Sequence, residues 1–252
     1  MAETALPLNS LPGRPNTDRP QRIIPALLAL ALIVPAPTLG ELAGLQFWPG
    51  TALGTLLYIG AKCWIVLVPL IWWRCIDHGA WSWSPPKRGG FAVALIAGVV
   101  IAAVMLGVYA IALHNHWLAS SIPRMRAQAA RTHLDVWWVF LVFVLVISSA
   151  NALMEEFVWR WFVYRQCAAL MPSALAVLAA AALFTVHHTA ALCVQATAAS
   201  VLLGSLGVFL GGLIWSWMYQ RYQSIWPGFV CHILADAGMF AIGWHMIYRA
   251  RG

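Results

Sequence analysis

The sequence predicts an all-α fold, a polytopic bundle of about seven transmembrane helices, and three observations predict it. Of its 252 residues, 62% are hydrophobic and only 9% charged, whereas a soluble domain keeps about a quarter of its residues charged. The apolar residues fall in runs of about twenty, the length of an α-helix crossing a bilayer. Those runs do not alternate polar and apolar positions, as the strands of a membrane barrel would. The mean hydropathy of +0.78 agrees. Soluble globular, disordered and collagen-like classes are excluded.

Residues 1–22 are polar, contain Pro7, Pro12, Pro15 and Pro20, and carry Arg14, Arg19 and Arg22. They read as a disordered tail. The run Ile23–Gly40 follows, interrupted by Pro25, Pro35 and Pro37. It reads as a retained first helix rather than a signal peptide, because no clear A-x-A cleavage site follows it. The further runs are Thr51–Trp73, Phe91–Leu113, Val136–Met154, Ser173–His188, Thr197–Tyr219 and Ile225–Tyr248. With no room for a soluble domain and no internal repeat, residues 23–252 form a single transmembrane domain. The longest connection, His114–Asp135, reads as a plain connector, with a surface amphipathic helix or a gate as its alternatives.

The net charge of +7 comes from scattered cations rather than a basic cluster. It is assigned to topology and lipid headgroups, not to nucleic acid. The cation balance favours a cytoplasmic N-terminus, as in a multi-pass protein of a bacterial inner membrane. Five cysteines without paired spacing argue against a disulfide framework or a zinc finger. Of the fifteen tryptophans, Trp72, Trp73, Trp137, Trp138, Trp215, Trp217, Trp226 and Trp244 sit near run ends and read as interfacial anchors. Ser200-x-x-x-Gly204 and Gly207-x-x-x-Gly211 predict close helix packing around the sixth run.

An ionisable group in hydrocarbon costs several kcal/mol unless paired or wet, so each one needs a reason. Glu3, Asp18, Glu41, Asp77 and Asp135 fall in tails or connections. Glu155, Glu156 and Asp236 lie inside or at the edge of apolar runs, as do His187, His188, His232 and His245, with Arg160 and Lys62 as cations. On a helix, Glu156 and Arg160 are four apart and predict an ion pair. Glu155 turns about 100° away from Glu156, free to face a cavity. His232 and Asp236 are again four apart, and Phe184 stands one turn before His188. His187 and His245 read as interfacial, and Lys62 as a snorkelling lysine or one paired with a carbonyl. Adjacent carboxylates are a poor choice for a purely structural clamp, since they repel.

Glu155-Glu156-x-x-x-Arg160, Phe184-x-x-x-His188 and His232-x-x-x-Asp236, in that order, resemble the three motifs of the CAAX-protease and bacteriocin-processing family of intramembrane peptidases, which includes the type II CAAX prenyl endopeptidase. The stretch Ser224–His232, "SIWPGFVCH", also resembles that family, and the resemblance covers roughly residues 135–245. It implies hydrolysis of a peptide bond in a membrane-associated protein or peptide. Glu155 corresponds to the general base on water, His188 to a group holding that water, and His232 with residue 236 to the oxyanion-stabilising pair; Glu156 and Arg160 complete the first motif. Many members carry Asn where this chain has Asp236. An ionised Asp accepts but cannot donate, so Asp236 must be protonated, orient His232 or bind a metal. Glu155, His188, His232 and Asp236 could together hold Zn²⁺. No HExxH motif supports that, and a metal-free glutamate mechanism is favoured. The alternatives are a proton- or ion-coupled carrier, for which no inverted repeat is visible, and an inactive immunity or interaction protein of the same fold.

Overall fold

The computed structural model describes residues 19–79, 82–195 and 197–250. The expected tail falls largely outside them, and the first helix already begins at Arg19. The elements are α1 (Arg19–Ile33), α2 (Pro35–Leu42), α3 (Ala52–Cys75), α4 (Phe91–His114), α5 (Ser121–Arg131), α6 (Trp137–Val146), α7 (Ala152–Glu155), α8 (Arg165–Leu170), α9 (Ser173–Gln195), α10 (Ala198–Tyr222) and α11 (Ile225–Trp244). Wide π-helical turns occupy Ala43–Phe47, Ile147–Asn151, Glu156–Tyr164 and His245–Arg249. Among the described residues, and counting through these turns and the break at Val34, seven helices are long and apolar enough to cross a membrane. The chain is an integral multi-pass membrane protein.

Local chemistry sets the boundaries. Pro35, which lacks an N–H, starts α2 and breaks it from α1. Thr51, Thr197 and Ser224 cap α3, α10 and α11, their hydroxyls accepting from the N–H of Gly54, Ser200 and Trp226. Gly90 enters α4 at φ +101°, and a Cβ there would lie 2.7 Å from the Tyr222 ring. Only glycine meets both demands.

The fourth span departs from expectation. It continues from Trp137 to Leu170 instead of stopping at Met154. The polar residues after Met154 do not end the helix, because neighbouring helices bury them inside the bundle. Glu155 and Glu156 are 5% and 0% exposed and Arg160 is 0% exposed. The His114–Asp135 connection, expected to be plain, contains α5. Arg126 of α5 donates to the backbone carbonyls of Met246, at 3.1 Å, and Ala250. Those carbonyls end the final helix and lack intrahelical partners.

Two close pairings frame the site. Against α4, Gly238 of α11 leaves no room for a Cβ, which would stand 2.9 Å from Ala102. Against α9, a Cβ on Gly212 of α10 would stand 3.2 Å from Ala181, and one on Gly204 would stand 2.8 Å from Leu192. The packing face of α10 is therefore Gly204 and Gly212. A Cβ on Gly207 would meet nothing within 4 Å, and the atoms nearest to one on Gly211 belong to Trp215 of its own helix. The Gly207-x-x-x-Gly211 reading is corrected, since packing selects an eight-residue repeat on one face. Val158, Trp159, Phe162, Val163, Phe184, Met218 and Cys231 form the buried centre around which the motif helices meet.

Candidate active site

Four helical segments bring the three motifs together. Asn151 ends the π turn before α7 and Glu155 ends α7 itself, Glu156 and Arg160 lie on the long π segment, His187 and His188 on α9, and His232 and Asp236 on α11. The π turns bracket Glu155, and such wide turns recur at functional sites.

Glu156 is the structural hub. Its Oε1 lies 3.3 Å from Arg160 Nη1 and 3.0 Å from His232 Nδ1. A carboxylate can only accept, so Nδ1 of His232 donates. Among the described residues Arg160 makes no hydrogen bond. Its guanidinium instead lies over the Phe184 ring at 4.3 Å and the Trp215 ring at 5.0 Å, whose negative faces attract a desolvated cation. Gly228 makes the approach of α11 feasible: a Cβ there would lie 2.5 Å from Glu156 Oε2.

With Nδ1 donating to Glu156, the Nε2 atom of His232 faces away from the hub, toward Glu155. It lies 3.7 Å from Glu155 Oε2 and 3.8 Å from Asp236 Oδ1. His188 Nε2 is 3.9 Å from the same Glu155 oxygen. These distances exceed a direct hydrogen bond. They are separations that one small species bound to several of these atoms would span. The other Glu155 oxygen, Oε1, accepts from Asn151 Nδ2 at 2.8 Å. His188 is 30% exposed at its side chain, while His232 and Glu155 are each 6%. The site is thus shut on most sides and open near His188.

Aromatic rings fix the imidazoles. Trp215 stacks on His232 with ring centroids 3.9 Å apart and planes 14° off parallel. Phe184 lies edge-on to His188 at 4.6 Å, beneath it as the spacing predicts. Trp159 stacks on His187 at 5.1 Å.

Several expectations need correction. His187, read as interfacial, is 3% exposed. Together with Glu155 and His188 it offers ligand atoms all within 4.8 Å of one another. Trp215, read as a membrane anchor, lies against the site because α10 crosses it near that residue. Glu41, assigned to a connection, ends α2 with Oε2 buried. Lys62, read as snorkelling or paired with a carbonyl, does meet a carbonyl, that of the Asn151 side chain, donating to its Oδ1 at 3.4 Å. His245 bonds Tyr109 through Nδ1 at 2.7 Å, away from the site. Asn151 itself carries no motif; its one signal is an amide inside an otherwise apolar run.

The donor set also suits a cation. Glu155, His188, His232 and Asp236 offer two imidazole nitrogens and two carboxylates, a Zn²⁺-compatible combination. His232 Nδ1 donating to Glu156 is the outer-shell hydrogen bond that metal-bound histidines make. The donor types match those of a zinc site, while the group whose ligand atoms all lie within 4.8 Å of one another among the described residues is Glu155, His187 and His188.

Residues 136–238 match the family model described as type II CAAX prenyl endopeptidase Rce1-like. The match contains all three motifs, so the resemblance read from them holds: over these residues the chain is similar to the type II CAAX prenyl endopeptidase family. No curated protein and no solved structure matches the chain.

Proposed function

We propose that the chain is an endopeptidase in which Glu155 acts as general base on water and hydrolyses a peptide bond of a membrane-associated protein or peptide. The observation that carries this reading is the convergence of Glu155 Oε2, His188 Nε2 and His232 Nε2, with separations of 3.7 and 3.9 Å from the carboxylate oxygen. Water between these atoms lies within reach of a base and of an orienting imidazole, which general base catalysis requires. As the water oxygen bonds to the scissile carbonyl carbon, its proton passes to Glu155. The tetrahedral intermediate then breaks its C–N bond, and the proton moves to the departing amine.

Glu156 and Arg160 hold His232 rather than touch the reacting atoms. Fixed through Nδ1 and stacked on Trp215, His232 aims Nε2 at the pocket. With a proton on each nitrogen it donates from Nε2 to the developing oxyanion, the interaction that lowers such barriers most. Asp236, beside the same nitrogen, orients it or donates as the neutral acid.

If the enzyme holds a metal, Glu155, His188, His232 and Asp236 would bind it, and the ion would supply a polarised water and a Lewis acid. That arrangement uses Glu155 as a ligand. In HExxH enzymes, by contrast, the basic glutamate is separate from the ligands. The glutamate reading keeps Glu155 free for the proton and is the one adopted.

The test compares protein termini in membranes of cells expressing the wild type and the Glu155→Gln variant. Termini that depend on the wild type and vanish in an equally abundant variant are the expected result. Identical termini in the two membranes would overturn the reading.

A further inference from the structure

The helices before residue 136 carry no motif and lie outside the family match, yet two of them reach the site. Glu155 has one oxygen on the pocket side and one held by Asn151 Nδ2 at 2.8 Å. A carboxamide can turn over, exchanging its oxygen and nitrogen, and the reversed amide would set its oxygen against the carboxylate. Lys62 of α3 removes that choice. Its ammonium is a pure donor and meets Asn151 Oδ1 at 3.4 Å, so the amide must direct its NH₂ to Glu155. Lys62 also lies over the Tyr58 ring, at 5.6 Å from the centroid. Glu41 at the end of α2 stands close enough to both Lys62 and Glu155 for their charges to act on it.

On the peptidase reading above, we propose that Lys62 is a positioning residue: acting through Asn151, it holds the Glu155 carboxylate in the orientation that turns one oxygen toward the imidazoles of His188 and His232. The N-terminal helices thereby contribute to the chemistry of a site whose motifs all lie downstream.

Two readouts test it. The first is infrared difference spectroscopy of purified protein, with the Glu155 carboxylate bands identified as those absent from Glu155→Gln. They are expected to shift in Lys62→Met and in Asn151→Leu, and to keep their wild-type positions in Lys62→Arg. Should Lys62→Met fail to fold, Asn151→Leu decides; unmoved bands in whichever variant is read overturn the proposal. The second is turnover of a fluorogenic membrane-tethered peptide copied from a terminus that Glu155→Gln cells lose. Lys62→Met should lower kcat about 10–100-fold, the usual cost of losing an outer-shell hydrogen bond, with KM little changed and Lys62→Arg restoring it. The Lys62→Met/Asn151→Leu double variant should be no slower than Asn151→Leu alone, because two residues acting in series are not additive. Multiplying effects would overturn the proposal. If no terminus depends on Glu155, the peptidase reading fails while the infrared arm still decides the role of Lys62.

Discussion

His232 Nδ1 and Glu156 Oε1 stand 3.0 Å apart, and the same carboxylate oxygen lies 3.3 Å from the Arg160 guanidinium. One acidic side chain thus neutralises a wholly buried cation and dictates which imidazole nitrogen reaches the pocket. Structural and functional demands meet in this group, and variants can separate them.

Removing one partner of a buried ion pair leaves an unpaired charge and costs about 3–5 kcal/mol. Glu156→Leu and Arg160→Met should each lower the unfolding temperature in detergent. The double Glu156→Leu/Arg160→Met variant should recover most of that stability without recovering turnover, since His232 still lacks its acceptor. A double variant with wild-type kcat would show that Glu156 plays no part beyond charge balance.

Gly228→Ala tests the close approach of α11. Glu156 is held from two sides and cannot retreat from the new methyl group. Overpacking of this kind costs about 1–3 kcal/mol. Thermal unfolding should fall by a corresponding amount, with a loss of turnover that Gly204→Ala, against the yielding end of Leu192, does not show.

For Asp236 the informative comparison is amide against methyl. Asp236→Asn preserves a polar group 3.8 Å from His232 Nε2 and can donate, so turnover should persist. Asp236→Ala removes the group and should cost about 10²–10³ in kcat, the usual loss of an oxyanion partner. Wild-type rates in both variants would exclude a role for this position in the reaction.

Metal removal separates the two uses of Glu155. On the glutamate mechanism, prolonged dialysis against a chelator leaves turnover intact, and elemental analysis finds zinc well below one ion per chain. Loss of activity with recovery on adding Zn²⁺ would reassign Glu155 from base to ligand. His187→Phe refines the comparison, because a phenyl ring preserves the stack on Trp159 while deleting one nitrogen of the Glu155–His187–His188 cluster. Unchanged turnover in that variant is expected.

Much of the site was legible because its residues are costly where they stand. Glu155, Glu156, Arg160 and Asp236 declare themselves as ionisable groups inside apolar runs, and four-residue spacing foretells the Glu156–Arg160 pair. Helical spacing says which residues of one helix face together, but it does not say which helix crosses which. Trp215 and Gly228 acquire their roles only where α10 and α11 pass the long π segment. His187 reads as interfacial because it stands near a run end beside His188, from which it diverges by about 100°. That angle says nothing of what α9 packs against, and Trp159 and Glu155 lie on the side His187 faces. The signal for Asn151 and Lys62 was present, a strong polar group in the middle of a span, yet neither belongs to a recognisable motif.

The nine-residue π segment Glu156–Tyr164 carries a consequence for how this protein tolerates change. A wide turn holds one residue more than an ordinary one over the same rise, so excising a single residue such as Val158 would let the segment tighten into a regular helix. The helix beyond the segment would keep its register, because the tightened turn absorbs the loss, but Arg160 inside it would stand three rather than four residues from Glu156, carrying the guanidinium off its aromatic seat with the composition almost untouched. Register, more than residue content, is what this stretch of chain has to preserve.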